Sequence, residues 1–405
     1  MTKLNELINE LCPEGVEYKT LGEVCDYEQP GKYIVQSTNY NDKFEIPVLT
    51  AGQTFILGYT NEIEGVFKAT KNKPVIIFDD FTGALKWVDF PFKVKSSAIK
   101  IITSDKNKAL LRYIFHCMEN LNFSSNEHKR LWITIYSQFK IPVPPLPVQE
   151  EIVRILDKFT SLEAELEAEL EARKKQYEFY RDRLLTFGDV RGGATSDVVW
   201  RTLGDICKKV VSGGTPQAGN PEYYGGTIPW LRTQEVDWKD ITDTVVKITE
   251  AGLNASSAKW IPENCVIVAM YGATAAKVAI NKIPLTTNQA CCNLEIDENQ
   301  ALYRYVFHWL CKEYLSLKAL GQGSQSNINA QTIKQYKIPI PSLEIQNKIV
   351  NVLDNFDAIC SDLNIGLPAE IEARKKQYEF YRDALLTYAA TGRTILTDRQ
   401  TSIVR

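Results

Sequence analysis

The sequence predicts an α+β fold: two mixed α/β modules separated by two long helices that form an antiparallel coiled coil, with a pseudo-twofold internal repeat. Three observations predict it. First, EARKKQYEFYRD occurs at 171–182 and again, letter for letter, at 372–383. Second, shorter landmarks recur in the same order: YKTLGEVC at 18–25 with WRTLGDIC at 200–207, RYIFH at 112–116 with RYVFH at 304–308, and KIPVP at 140–144 with KIPIP at 337–341. Their offsets grow through 182, 192 and 197 to 201. A constant frame therefore holds two inserts, 26–111 and 208–303, that share little sequence. Third, apolar residues around both copies keep a seven-residue spacing. The expected segments are 1–146 and 191–343 for the modules, with 147–190 and 344–405 for the helical regions.

Taken in order, KPVIIFDDF and NCVIVAMYG read as buried strands of β-branched residues ending in turn formers. ALLRYIFHCMENL and ALYRYVFHWLCKEYL read as amphipathic helices, which makes His116 and His308 packed helix residues rather than ligands. In KIPVPPLPVQEEIVRILDKF the prolines exclude helix at first. Val148, Ile152, Ile155, Leu156 and Phe159 then fall at helical spacing, and Glu150 and Glu151 favour the start. From Leu156 a heptad runs with a positions at 156, 163, 170, 177 and 184 and d positions at 159, 166, 173, 180 and 187; all but Glu163 and Arg173 are apolar or aromatic. This favours a seam over a one-sided surface helix, with Leu166, Leu170, Tyr177, Tyr180 and Leu184 as candidates for coil and subunit docking. Ile371, Tyr378, Tyr381 and Leu385 are the candidates in the second copy, where Gly366 and Pro368 place the helix start near Pro368. Two greasy seams in one chain offer each other a partner.

Composition is that of a soluble globular protein, 44% hydrophobic and 24% charged. The N-terminal segment alternates charges with leucines and lacks a signal-peptide core, and the longest apolar stretch, CVIVAMYGATAAKVAI, is broken by Lys277 and glycine, so no membrane span is expected. Nine cysteines without CxxC suit a reducing cytoplasm and argue against a disulfide framework or zinc site. Formal net charge is −3, yet residues 32–140 carry 15 basic and 10 acidic groups and residues 200–340 carry 14 and 12. The positive excess lies on the inserts, as expected if they approach phosphates.

No GxxxxGK[ST] occurs, so no P-loop is expected. SGGTPQAGNPEYYGG reads as a shaped surface loop, and its Asn220-Pro-Glu-Tyr departs at the third position from an adenine-methyltransferase signature. Catalytic and metal-ligating residues are expected to be none. What remains on the inserts is a vocabulary for reading bases. The first insert offers Lys71, Lys73, Lys86, Trp87, Lys93 and Lys95 with Thr82, Ser96 and Ser97. The second offers Thr215, Arg232, Gln234, Asn288 and Gln289, and GQGSQSN adds Gln322, Ser324 and Gln325. Amides and guanidinium groups pair bidentately with purine edges, while lysines seek phosphate. A fused methyltransferase or nuclease with drifted motifs, and a scaffold whose inserts bind proteins, are the competing readings.

KIPIPSLEIQNKIVNVLD, KIPVPPLPVQEEIVRILD, the two EARKKQYEFYRD segments, TNQACCNL and GGTP together resemble the specificity subunits of type I restriction-modification systems over nearly the whole chain. YEQPGKY, IPVLTAGQTFILGYTNE and IIFDDFTGALKWVDF resemble target recognition domains of the type IC branch. The resemblance implies that each insert reads one half of a split site on double-stranded DNA and that the helices bind two methyltransferase (M) subunits. S-adenosylmethionine would then be held by the M subunits, and ATP with Mg by two restriction (R) subunits, with no cofactor on this chain and the complex in the cytoplasm. Glu163-Ala-Glu-Leu166 followed by Glu167-Ala-Glu-Leu170 matches the tetrapeptide repeats that set spacer length in that branch.

Overall fold

A computed structural model describes residues 2–50, 54–121, 123, 129–187, 198–321 and 327–391. Six longer helices carry the frame: α1 (Thr2–Leu11), α2 (Leu111–Glu119), α3 (Leu146–Leu184), α4 (Tyr303–Lys312), α5 (Leu343–Ser361) and α6 (Leu367–Thr391). None is long and apolar enough to cross a membrane. The described chain forms two compact units, 1–165 with 371–405, and 166–370. The four sequence segments are thus regrouped: each unit combines one insert with helices from both halves of the chain.

In the first unit, β1 (Cys25–Glu28), β2 (Ile46–Leu49), β3 (Val75–Asp79), β4 (Leu85–Val88), β5 (Lys93–Val94) and β6 (Ile99–Ser104) make up most of two sheets. One is antiparallel in the order β1-β6-β3-β4. The other places β2 beside β5 in parallel and beside Ile56–Thr60 antiparallel. The apolar run of β3 is continuous because both of its faces are covered. Ile76 and Phe78 join the core under α2 and α3, while Val75 and Ile77 join a second core against Leu49, Val94 and Ile101.

The second unit repeats the scheme. Strands β7 (Cys207–Ser212), β9 (Val266–Ala269), β10 (Val278–Asn281) and β12 (Cys291–Ile296) run in the order β7-β12-β9-β10, extended by Asp240–Ile241. Between them in sequence, β8 (Tyr224–Leu231) and β11 (Leu285–Thr287) form the parallel pair. Val266 and Val268 face one core, Ile267 and Ala269 another. Two inserts with little shared sequence therefore share strand order, because alternation of buried faces constrains residue class rather than identity.

The frame closes each unit identically. Tyr18–Thr20 pairs with Lys140–Pro142, and Val199–Thr202 with Lys337–Ile340. Gln149, at the first turn of α3, accepts from Leu110 N–H and donates to Pro144 O, at 2.9 and 2.7 Å. Gln346 of α5 makes both bonds again to Leu302 and Pro341, each at 2.9 Å. Buried side-chain amides satisfied twice over fix the helix entry angle.

The expected antiparallel pairing of long helices holds, with the second partner divided. Asp362 to Gly366 interrupt the C-terminal helix, and α6 restarts at Leu367 with Pro368 in its first turn, where a missing N–H costs nothing. In the first unit Phe159 of α3 stacks on Tyr381 of α6 at 5.2 Å, and Glu163 pairs with Lys375, so the helices run oppositely. In the second unit Tyr180 of α3 stacks on Phe356 of α5 at 5.4 Å. Within the first unit the copy at 372–383 packs on the start of α3 through Tyr381 and Lys375, and within the second unit the copy at 171–182 packs on α5 through Tyr180.

Candidate nucleic-acid interface

His116 and His308 show how the frame binds each insert. Arg112 Nε donates to Asp157 at 2.7 Å, and His116 sits between Asp157 at 3.1 Å and the Tyr378 hydroxyl at 2.8 Å. Arg304 Nε donates to Asp354 at 2.8 Å, and His308 sits between Asp354 at 2.6 Å and the Tyr177 hydroxyl at 3.0 Å. Both imidazoles are fully buried, so they are packed helix residues as expected from the sequence. In the second unit the short Nε2 contact is a donation to carboxylate, which leaves Nδ1 to accept from Tyr177.

Burial pushes the His308 pKa down against the raising pull of Asp354. Burial also works to raise the Asp354 carboxyl, but donation from His308 and Arg304 outweighs it and holds the group below the usual range. An imidazole kept neutral in the fold takes up a proton on unfolding, so its contribution is complete above the unfolded value of about 6.5 and declines as pH falls below it. The Asp354 contribution persists to lower pH and is lost as the carboxylate itself protonates. Thermal scans at pH 7.5, 6 and 5 should therefore show the second unit melting progressively lower, and His308→Gln should flatten that slope between pH 7.5 and 5.

Away from the frame, the strand ends carry the candidate residues. In the first unit Lys95 N–H bonds Leu49 O at the exit of the parallel β2–β5 pair, Asp80 N–H bonds Ala98 O, and Leu131 N–H bonds Asp80 O. In the second, Asn288 N–H bonds Leu231 O at the exit of β8–β11, Met270 N–H bonds Ala290 O, and Ile328 N–H bonds Met270 O. These are the same three ties, so one end of each module gathers three corresponding loops. That end holds Thr82, Lys95, Ser96 and Ser97 in the first unit and Asn288 and Gln289 in the second, all exposed except half-buried Asn288.

In the second unit the cluster is compact. Gly214 N–H bonds Thr287 O, the Thr215 hydroxyl donates to Gln289 Oε1, and Trp230 Nε1 donates to Gly214 O at 2.9 Å. A Cβ on Gly213 would stand 1.8 Å from Thr287 O, so only glycine permits this approach. Arg232 and Gln234 lie on the adjoining turn after β8. Asn288 Oδ1 and Arg232 Nε are buried atoms with no hydrogen-bond partner among the described residues, although Arg232 Nε lies 3.5 Å from Glu235. Polar atoms left so are costly unless something completes them. Asn220, in the loop mistakable for a methyltransferase signature, accepts from Glu222 N–H and caps a short helical turn. Gln322, Ser324 and Gln325 lie outside the described residues.

The first unit divides its candidates. Lys71, Lys73 and Trp87 lie at the opposite end of β3, on a cavity of about 680 Å³ shared with Phe67, Lys106 and Arg112. Trp87 packs there under the Arg112 guanidinium at 4.9 Å, and Lys86 lies 5.9 Å from the Phe55 ring. Lys93 requires correction: it is buried, ion-paired with Glu62 at 2.8 Å and donating to Glu64 O, so its ammonium is unavailable to phosphate. Arg130 was missed. It reaches Asp80 and Ser97 O at 3.3 Å and lies over Phe81 at the loop end. Asp79 and Asp80 serve the turn: Asp79 accepts from Phe81 and Thr82 N–H, and buried Asp80 pairs with Lys100.

On the helices, Tyr378, Tyr381, Leu385 and Ile371 are buried, Leu166, Leu170, Tyr177 and Leu184 half-buried, and Tyr180 is exposed but stacked. Sequence reasoning missed Phe179 and Phe380, the same residue of the two copies, exposed to 57% and 39%. Leu162 and Ile359, also equivalent, are exposed to 44% and 40%. The signal was available: Phe179 falls off the a and d seam, and its ring meets the neighbouring Tyr180 edge-on at 5.4 Å while the rest of it stays exposed.

The family described as type I restriction modification DNA specificity domain matches residues 13–172 and 195–373. The chain is 45% identical over 390 residues to the EcoR124I/EcoR124II specificity subunit of Escherichia coli, covering 92% of this chain and 94% of that protein. It is 32% identical over 177 residues to the MjaIX specificity subunit of Methanocaldococcus jannaschii, covering 42% of this chain and 38% of that one. Among solved structures, the S subunit of a type I restriction-modification system from M. genitalium superposes with a TM-score of 0.55 at 15% identity, over 94% of this chain and 98% of that one.

Proposed function

The chain belongs to the DNA specificity subunits of type I restriction-modification systems, and from that premise we propose that each unit reads one half of a bipartite DNA site for a complex whose reactivity resides in other subunits. The observation that carries the reading is the pairing of sameness and difference within one molecule. The frame networks around His116 and His308 share an arginine–aspartate pair and a histidine held between that aspartate and a tyrosine hydroxyl of the twelve-residue copy, whereas the loops at corresponding module ends carry Lys95, Ser96, Ser97 and Arg130 in one unit and Arg232, Gln234, Asn288 and Gln289 in the other. Amide and guanidinium groups suit bidentate contact with purine edges in the major groove, and lysines suit the phosphates beside it.

Two M subunits need two similar docking surfaces. Phe179 with Phe380, and Leu162 with Ile359, supply matched exposed apolar side chains on the repeated helices, and these are the proposed contacts. On this reading S-adenosylmethionine belongs to the M subunits and ATP with Mg to two R subunits, and the complex works in the cytoplasm.

Helix α3, 39 residues long and free of glycine and of proline beyond its first turn, is the proposed spacer. Removing residues 163–166 shortens it by about 6 Å at 1.5 Å per residue, against roughly 3.4 Å per base pair. Methylation of a library with randomised spacers should then favour a spacer shorter by one or two base pairs, with both half-sites unchanged. An unaltered spacer preference would remove the ruler.

A further inference from the structure

The two units differ at the outer edge of the sheet that packs under α2 or α4. In the second, Asp240–Ile241 adds a parallel strand beside β10, with Asp240 opposite Ile280. The Asp240 carboxylate meets Arg304 Nη1 at 3.5 Å and Lys282 at 3.6 Å, and Lys282 reaches the Tyr303 hydroxyl and Asn264 Oδ1 at 3.3 Å each. That corner is filled by the unit's own charges. In the first unit the sheet ends at β4, and among the described residues no strand pairs with its outer edge. Trp87 takes the place of Ile280, since each stands opposite a residue, Ile76 or Val266, that faces the core under the helices. Arg112 corresponds to Arg304, and Leu111 to Tyr303, at the offset of 192. Arg112 donates from Nε to Asp157 and from Nη2 to Thr160, and its Nη1 has no hydrogen-bond partner among the described residues.

At this corner the first unit has the cavity of about 680 Å³. Lys68, Lys71, Lys73 and Lys106 line it with Arg112, and no carboxylate does. Lys68, Lys71 and Lys73 form no ion pair with any described residue. The start of α2, where Leu110 provides no side-chain cap, opens on the same space and favours negative charge. Phe67, Val75, Trp87 and Leu111 make the walls apolar and in part aromatic. We infer that this cavity binds a free nucleoside polyphosphate, with the planar base against Phe67 and Trp87 and the phosphates on Arg112 and the lysines. Where Arg304 Nη1 receives the carboxylate of Asp240, Arg112 Nη1 receives a phosphate oxygen. The volume lies within the range of small-molecule sites, about 300–1,000 Å³. The same charge excludes a cationic ligand. Duplex DNA keeps its bases stacked and offers no free ring to such a cavity, and the loops that carry Lys95, Ser96 and Ser97 lie at the other end of β3.

The test titrates ATP, adenosine and inorganic tripolyphosphate separately into the full chain, without other subunits, and follows heat by calorimetry. ATP should bind with one equivalent per chain, and adenosine and tripolyphosphate each at least tenfold more weakly. Lys68→Glu with Lys71→Glu should weaken ATP at least tenfold, with an effect that shrinks at high salt. Both ammonium groups are exposed and without a carboxylate partner, so the melting temperature of this variant without ligand should match the parent chain. Leu111→Tyr brings the second unit's side chain to the cavity wall and should weaken ATP by occupying the space of the base. A parent chain that binds no ATP, or a lysine variant that binds it as tightly as the parent, would overturn the inference and leave the proposed function standing. Tripolyphosphate bound as tightly as ATP would also overturn it, reducing the corner to a patch for anions. Loss of duplex affinity in the lysine variant, with no ATP bound by the parent, would assign these lysines to DNA phosphates instead.

Discussion

A chain ending at Gly366 is expected to keep its second unit and lose its first. Helix α6 contributes Tyr378, Leu385, Leu386, Tyr388 and Ala389 to the core that holds Phe78, Trp132 and Val148, and Tyr381 to the stack with Phe159. Each buried side chain of this size is worth about 1.5–3 kcal/mol, so together they match the stability of an ordinary domain, roughly 5–15 kcal/mol. The loss also strips His116 and Glu119 of the Tyr378 hydroxyl. The second unit draws its helices from α3 and α5 and retains Tyr177 on His308. Hydrogen exchange should show protection collapsing across 18–121 and 131–165 and surviving across 198–361. Equal loss in both units, or none in the first, would contradict the way the chain divides.

The second large effect concerns recognition. Asn288→Ala and Gln289→Ala together should lower affinity for one half-site and leave the other untouched. A bidentate amide contact discriminates by about 1–3 kcal/mol, which corresponds to roughly 5- to 150-fold per base. Stability should not fall in step. Asn288 Oδ1 is unpartnered in the free protein, so its removal relieves a buried polar atom, and Gln289→Ala gives up one exposed bond from the Thr215 hydroxyl. Competition binding with duplexes varied in one half at a time would read this directly. Ser96→Ala with Ser97→Ala should act on the opposite half, and loss of both halves in either variant would mean the loops do not read separately.

Much of the frame was legible because periodicity carries it. Buried β-branched runs announced β3 and β9, and helical spacing announced α2, α3 and α4. Prolines and glycines marked the starts of α3 and α6. Pairing was less accessible. Nothing local in Tyr378 says that its hydroxyl meets His116, 262 positions earlier in the chain. For the same reason nothing local in Tyr180 or Tyr381 names Phe356 or Phe159 as the ring on which it stacks. The site shows the same division. Asn288 and Gln289 were named for their chemistry, but their meeting with Thr215 and Arg232 depends on strand register. Lys93 was misread because its acid, Glu62, lies 31 positions away. Phe179 lies off the a and d positions, so heptad spacing does not mark it.

The most direct test of the central claim, two readers on one frame with reactivity supplied from outside, is to map methylated adenines. The purified chain, with and without M subunits and S-adenosylmethionine, would be given a duplex library of random sequence. Two short motifs separated by a fixed run of unspecified bases, modified only when M subunits are present, is the predicted result. A single uninterrupted motif, or modification by the chain alone, would contradict it.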